Sequence, residues 1–219
     1  ANDELPQSSS GRTIMTTEPK FIPEEAVAVS VGKAALRVKL IDCVGYLVPQ
    51  ALGQTEEGEP RMVQTPWADT PMPFAEAAEL GTQKVIREHS TIGIVVTTDG
   101  SIGEIPRESY VDAEERVITE LKAVNKPFVI VLNSTHPFTD ETLSLAAELE
   151  MKYDAPVIPA DCKGMDEYTI RDIMITSLYQ FPASQININL PGFIDGLDIS
   201  HHNNNIGFFN SYFSLTAHL

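Results

Sequence analysis

The sequence is short of cysteine and of basic residues, and it has no long apolar run. Cys43 and Cys162 are the only two cysteines in 219 residues, too few and too isolated for a disulfide framework or a zinc site, which fits a reducing compartment. Cys43 reads as a small buried filler rather than a reactive thiol, the other role open to it. Lysine and arginine number 15 against 31 aspartate and glutamate, a formal net charge of -16. Nucleic acid and anionic lipid carry the same sign, so neither is an expected direct partner. No apolar stretch approaches the roughly 18 residues needed to cross a bilayer, and the polar start is not a signal peptide. A cytoplasmic location is expected. The chain also begins at Ala1 and reaches its first methionine only at Met15, which reads as a fragment of a longer protein.

What is present can build a real core, since 42% of the residues are hydrophobic. The chain is organised around residues 36 to 46. There Leu36, Val38 and Leu40 alternate with Arg37 and Lys39, the period-2 pattern of a strand with one buried face. Asp42 ends that strand, at the sheet edge where open α/β folds bind ligands. Gly45 follows three residues later, giving D-x-x-G. Such a carboxylate can hold Mg²⁺ through its water shell, and a glycine amide can approach a terminal phosphate.

The rest of the chain supplies the context. Residues 1 to 13 are polar and turn-forming. Thr16 and Thr17 lie in an extended stretch before Pro19; they are either β-formers at a turn or a loop that completes Mg²⁺ coordination and senses a terminal phosphate. Ala26 to Val31 and the strand ending at Asp42 form an antiparallel hairpin around Gly32-Lys33. Pro49 to Pro73, with five prolines and the only tryptophan, Trp67, reads as a functional surface loop or a mobile switch region, with that ring as its anchor. Helix and strand then alternate: a helix over 74–89, a strand over 91–98 buried on both faces, a helix opened by an Asp112/Glu115 capping box, and a strand over 128–132. A helix over 139–153, a strand over 156–160 and a helix over about 167–179 follow. The 128–132 strand delivers Asn133-Ser134-Thr135-His136 to the same edge as Asp42. Ile186 to Leu190 reads as a short strand. The polar run around Asp198, His201 and His202, and the aromatic cluster after it, read as a low-complexity tail without chemistry.

This order of parts resembles the switch-type P-loop NTPases. In GTPases the Asn-led tetrad is N-K-x-D, whose aspartate accepts from two guanine nitrogens. Here His136 holds that position and Ser134 replaces the lysine; a histidine cannot accept two hydrogen bonds, so adenine is expected. Longer stretches are more specific: Asp-Glu-Leu-Pro-Gln-Ser (3–8), Thr-Ile-Met-Thr-Thr-Glu-Pro-Lys-Phe (13–21), Asp-Cys-Val-Gly-Tyr (42–46), Pro-Arg-Met with Thr-Pro-Trp (60–67), and Glu-His-Ser-Thr-Ile-Gly with Thr-Thr-Asp-Gly (88–100). Across residues 3 to 182 these are similar to the spore-coat morphogenetic ATPases of endospore-forming bacteria.

The resemblance implies a mixed, mostly parallel α/β sheet with helices on both faces, lacking its first strand, P-loop and first helix. It implies ATP and Mg²⁺ as cofactors. Asp42 would be the Walker B carboxylate, Thr16 and Thr17 the sensor threonines with Thr17 reaching the metal, Gly45 the phosphate contact, and Asn133 and Ser134 part of the nucleotide site. It further implies self-polymerisation, recruitment by a small membrane-bound amphipathic peptide, contact with other coat proteins, and a place in the mother-cell cytoplasm at the forespore surface. Residues 1–25 would be a lead-in with a switch-like loop, 26–182 the NTPase-like domain, and 183–219 a short strand and atypical tail, as in a truncated or frame-shifted gene end.

One departure matters. G-x-x-x-x-G-K-[ST] is absent: Gly32-Lys33 has no glycine five positions before it and no hydroxyl after it. In the family that motif lies upstream, in a strand-loop-helix unit of roughly 30 residues. Two alternatives follow: a non-hydrolysing structural relative of the same coat layer, or an unrelated α/β enzyme using Asp42 as acid, base or phosphoryl acceptor. The second lacks D-x-D spacing.

Overall fold

The computed structural model describes residues 19–31, 34–65, 68–181, 185–189 and 214–218, in two units, Ala1–Gln180 and Phe181–Leu219. The alternating residues form β1 (Lys20–Val31) and β2 (Ala34–Asp42), an antiparallel pair in which Lys20 stands opposite Asp42. The register slips between Ile22 and Val27, where Pro23 has no N–H to contribute.

The segment from Pro49 to Pro73, expected to be a functional surface loop or a switch region, carries short strands of its own. It contains two small hairpins, β3 (Thr55–Glu56) with β4 (Glu59–Pro60) and β5 (Met62–Thr65) with β6 (Ala68–Pro73). Glu57 and Gly58 both have positive φ, 52° and 88°, as the tight turn between β3 and β4 requires. The expected anchor, Trp67, lies outside the described residues. Arg61 lies over the Phe74 ring at 4.7 Å and donates to the Gly53 carbonyl, which ties the hairpins to the core through Phe74, itself fully buried.

Helix α1 (Phe74–Lys84) widens into a π-helical turn over Val85–His89. The Lys126 ammonium closes that turn by donating to the Ile86 and Ser90 carbonyls. Then come β7 (Gly93–Thr98), α2 (Glu108–Ala123), β8 (Phe128–Asn133), α3 (Asp140–Tyr153), β9 (Val157–Ala160) and α4 (Glu167–Leu178). The strands pair in parallel in the order β7-β8-β9. Helices cover both faces of this sheet. Phe128, Ile130 and Leu132 pack with Ile118 and Leu121 of α2 and Ala146, Leu149 and Tyr153 of α3. On the opposite face Val129 and Val131 pack with Ile173 of α4. This is the α/β architecture expected, with β1-β2 forming a sheet of their own among the described residues.

Two expectations are corrected. The strand at 93–98 is not buried on both faces: Val95 is buried, but Ile94 is 38% and Val96 61% exposed, because β7 is the sheet's last strand and α4 covers Val129 and Val131 rather than their register partners Ile94 and Val96. Helix α2 does not begin at the Asp112/Glu115 box. It begins four residues earlier, at Glu108, with no side-chain cap at Arg107, because a guanidinium has no acceptor to offer the first N–H groups. Thr139 does cap α3, accepting from Thr142 N–H.

In the second unit, β10 (Gln185–Asn189) pairs antiparallel with β11 (Ser214–His218). β11 lies within 183–219, the segment expected to hold a short strand and a low-complexity tail. Asp198, His201 and His202 lie outside the described residues.

Candidate functional site

Two groups of side chains sit at strand ends. The first follows β2. Asp42 is exposed; partial desolvation raises its carboxyl above the ordinary range, and the Lys20 ammonium across the hairpin offsets part of that rise. Gly45 has φ 78°, the left-handed region that a side chain resists, and a Cβ built on it would meet nothing within 4 Å. The face of Gly45 is therefore open to a close-approaching ligand. Cys43 between them is held inward. Burial pushes its thiol pKa up and the neighbouring Asp42 charge adds to that rise, while polar contacts with Gly45 and Thr82 work against it.

No trio of His, Cys, Asp or Glu side chains that could hold a metal by itself occurs among the described residues. A single carboxylate such as Asp42 suits Mg²⁺, which keeps much of its water and takes its remaining ligands from phosphates. Thr16 and Thr17 lie outside the described residues.

The second group lies at the carboxyl ends of β7, β8 and β9, where a hydroxyl-rich network joins three loops. Asp99 accepts from the Ser101 N–H and hydroxyl at 2.9 and 2.6 Å and from Thr142 Oγ1 at 3.3 Å. Burial alone would raise the Asp99 carboxyl, but these bonds together with the Ser134 hydroxyl hold it below its ordinary value. Ser101 Oγ accepts from the Thr135 N–H at 2.9 Å. Ser134 is fully buried, and its hydroxyl accepts from the His136 N–H at 2.9 Å. Asn133 Oδ1 accepts from the Cys162 N–H at 3.0 Å, tying the loop after β8 to the loop after β9. Asn133 and Ser134 thus shape the edge from within, while the His136 side chain is exposed. Among the described residues, no hydrogen bond or ion pair links Asp42 or Gly45 to Asn133 or Ser134. The expected shared edge is therefore not closed by direct contact.

Beneath this edge is an ion pair that the sequence reading passed over. The Glu114 side chain of α2 is 1% exposed and lies 2.7 Å from Arg107 Nη1. It also accepts from Arg107 Nη2 at 2.8 Å, the Thr97 hydroxyl at 2.5 Å and the Tyr153 hydroxyl at 2.7 Å. Burial would raise this carboxyl, but the Arg107, Thr97 and Tyr153 hydrogen bonds and the Arg107 charge hold it below its ordinary value. Arg107 also donates to Thr97 at 3.0 Å. The loop from Asp99 to Arg107 is thereby pinned at both ends, and Gly100 at φ 90° packs so tightly that a Cβ would stand 2.9 Å from Arg107 N. A signal was available: Glu114 precedes Ile118 by four residues and Leu121 by seven, which puts a carboxylate on the buried stripe of α2.

The family model for stage IV sporulation protein A, ATPase domain, matches residues 1–182. Stage IV sporulation protein A of Bacillus anthracis is 50% identical over 202 residues, covering 92% of this chain and 41% of the relative. That of Bacillus subtilis (strain 168) is 51% identical over 202 residues, with the same shares. That of Clostridioides difficile (strain 630) is 52% identical over 200 residues, covering 91% and 41%. The chain thus spans about 41% of the length of the curated relatives it matches. No solved structure matches it.

Proposed function

The chain belongs to the stage IV sporulation protein A ATPase-domain family, and from that membership we propose that it is the central part of an ATP-hydrolysing morphogenetic protein that polymerises into the basement layer of the bacterial spore coat. The observation that best supports a nucleotide role is the end of β2. There an exposed carboxylate is followed by a glycine at φ 78° whose face is open, all inside the matched residues.

In this reading Asp42 would hold Mg²⁺ through water, with Thr17 as a further ligand, and the Gly45 N–H would meet the terminal phosphate. Mg²⁺, when bound, neutralises charge on the phosphates. Thr16 and Thr17 couple hydrolysis to polymerisation. Asn133 and Ser134 shape the loop that receives the base, and His136 in place of an aspartate disfavours guanine. A P-loop-bearing strand and helix would complete the site. The edge of β7 suits such a strand because it is unblocked, with no charge or proline from Gly93 to Thr98, whereas β9 at the other edge carries Pro159. Other coat proteins and a small membrane-bound amphipathic peptide are the partners, and the mother-cell cytoplasm at the forespore surface is the place. No described helix is long and apolar enough to cross a membrane, so this reading assigns anchoring to the peptide.

Pelleting of the intact protein tests this. Polymer is expected with Mg²⁺ and ATP but not with Mg²⁺ and a non-hydrolysable analogue. Equal pelleting with both, or without nucleotide, would instead favour a non-hydrolysing structural relative.

A further inference from the structure

The residue after Gly45 is held in a manner that the nucleotide reading does not use. Tyr46 lies beneath Arg116 of α2, with the guanidinium carbon 4.1 Å from the ring centroid. Arg116 is fixed by a two-pronged pair to Glu79 of α1, both bonds at 2.7 Å, the geometry in which a guanidinium is most firmly oriented. The Tyr46 hydroxyl and Glu120 Oε2 are both buried and both lack a hydrogen-bond partner. Glu120 Oε1 already accepts from Gln83 Nε2 at 3.4 Å. Two unpartnered buried groups, one a donor and one a carboxylate oxygen, cost free energy apart and satisfy each other together. One guanidinium neighbours both groups: Arg116, which lies over the Tyr46 ring, also brings its Nε to 3.9 Å from Glu120 Oε1.

We propose that Tyr46 is a positioning residue: clamped under Arg116, it closes a bond from its hydroxyl to the unpartnered Glu120 oxygen, which sets where the neighbouring Gly45 N–H stands and passes movement of that loop to the α1–α2 pair. The role of Gly45 rests on the nucleotide reading above, whereas the clamp itself does not. A hydroxyl-carboxylate bond of ordinary strength shifts a two-state loop equilibrium about fivefold, and a stacked guanidinium contributes a similar factor.

Hydrogen exchange on the 219-residue chain reads the clamp without nucleotide. Tyr46→Phe should speed exchange of the amides at 44–48 about fivefold and Tyr46→Ala more, with the centres of α1 and α2 unchanged. Glu120→Gln keeps an acceptor and should stay near the parent, while Glu120→Leu should match Tyr46→Phe, and the double variant should exceed neither. In the intact protein Tyr46→Phe should lower kcat for ATP by a similar factor at unchanged KM and Tm. Unchanged exchange in both tyrosine variants, additive effects of Tyr46→Phe and Glu120→Leu, or a raised KM at constant kcat would overturn the proposal. An intact parent protein without ATPase activity would overturn the nucleotide reading and the role given to Gly45, and the exchange result would still decide the clamp.

Discussion

Replacing Glu114 by alanine should be among the most damaging single changes in the domain. The carboxylate accepts from Arg107, Thr97 and Tyr153 in a site where it is 1% and Arg107 16% exposed. Removing it strands a nearly buried guanidinium and two buried hydroxyls. Breaking a buried pair on one side costs about 3–5 kcal/mol, which for a domain of this size lowers Tm by roughly 6–20 °C. Glu114→Gln keeps the volume and one acceptor and should lose about half as much. Urea titration followed by circular dichroism gives the free energies, and hydrogen exchange over 99–107 should rise in step, since Arg107 anchors that loop. The pH dependence has a definite sign. The folded carboxyl titrates below its unfolded value, so its contribution is complete above the ordinary glutamate range and is lost as pH falls through the lower folded value. The parent should therefore lose more stability on acidification than Glu114→Gln does. A Glu114→Ala loss under about 1 kcal/mol, with loop exchange unaltered, would refute the assignment of the network as the pin of this loop.

Other changes test separate parts. Gly100→Ala forces a side chain into a positive φ and against Arg107 N, and should cost about 1–2 kcal/mol by thermal melting. Thr139→Ala removes the cap of α3 and should cost about 1 kcal/mol, partly restored by Thr139→Ser. Val96→Lys places a charge on the open face at the β7 edge and should alter stability by less than about 0.5 kcal/mol. It should also reduce self-association of the 219-residue chain in sedimentation velocity.

Much of this fold was legible because its apolar patterning is strong. The continuous run from Phe128 to Leu132 reads as a buried strand and is one, and the sheet order places it between β7 and β9. The hairpin into Asp42 is written in its alternation, and Thr139 announces the start of α3. What failed did so for tertiary reasons. The apolar centre at 94–96 predicts burial on both faces, but a sequence cannot say that a strand stands last in its sheet, which leaves Ile94 and Val96 open. Asp112 and Glu115 have the spacing of a capping box, yet α2 runs through them from Glu108, with Arg107 before its start paired to Glu114 within it. The hairpins after Pro49 were hidden because proline and glycine mark turns without saying whether strands join them; Glu57-Gly58 was the usable sign. At the site, D-x-x-G was legible as a motif. The inward use of Ser134 was not, since it depends on Thr142 and His136 folding over it.

Phosphate release by the intact protein with ATP and Mg²⁺, measured for the parent and for Asp42→Ala side by side, tests the central claim most directly. The account predicts turnover in the parent and a loss of at least about a hundredfold without the carboxylate, the scale on which such electrostatic groups act. Equal turnover in both would contradict the placement of the metal at Asp42.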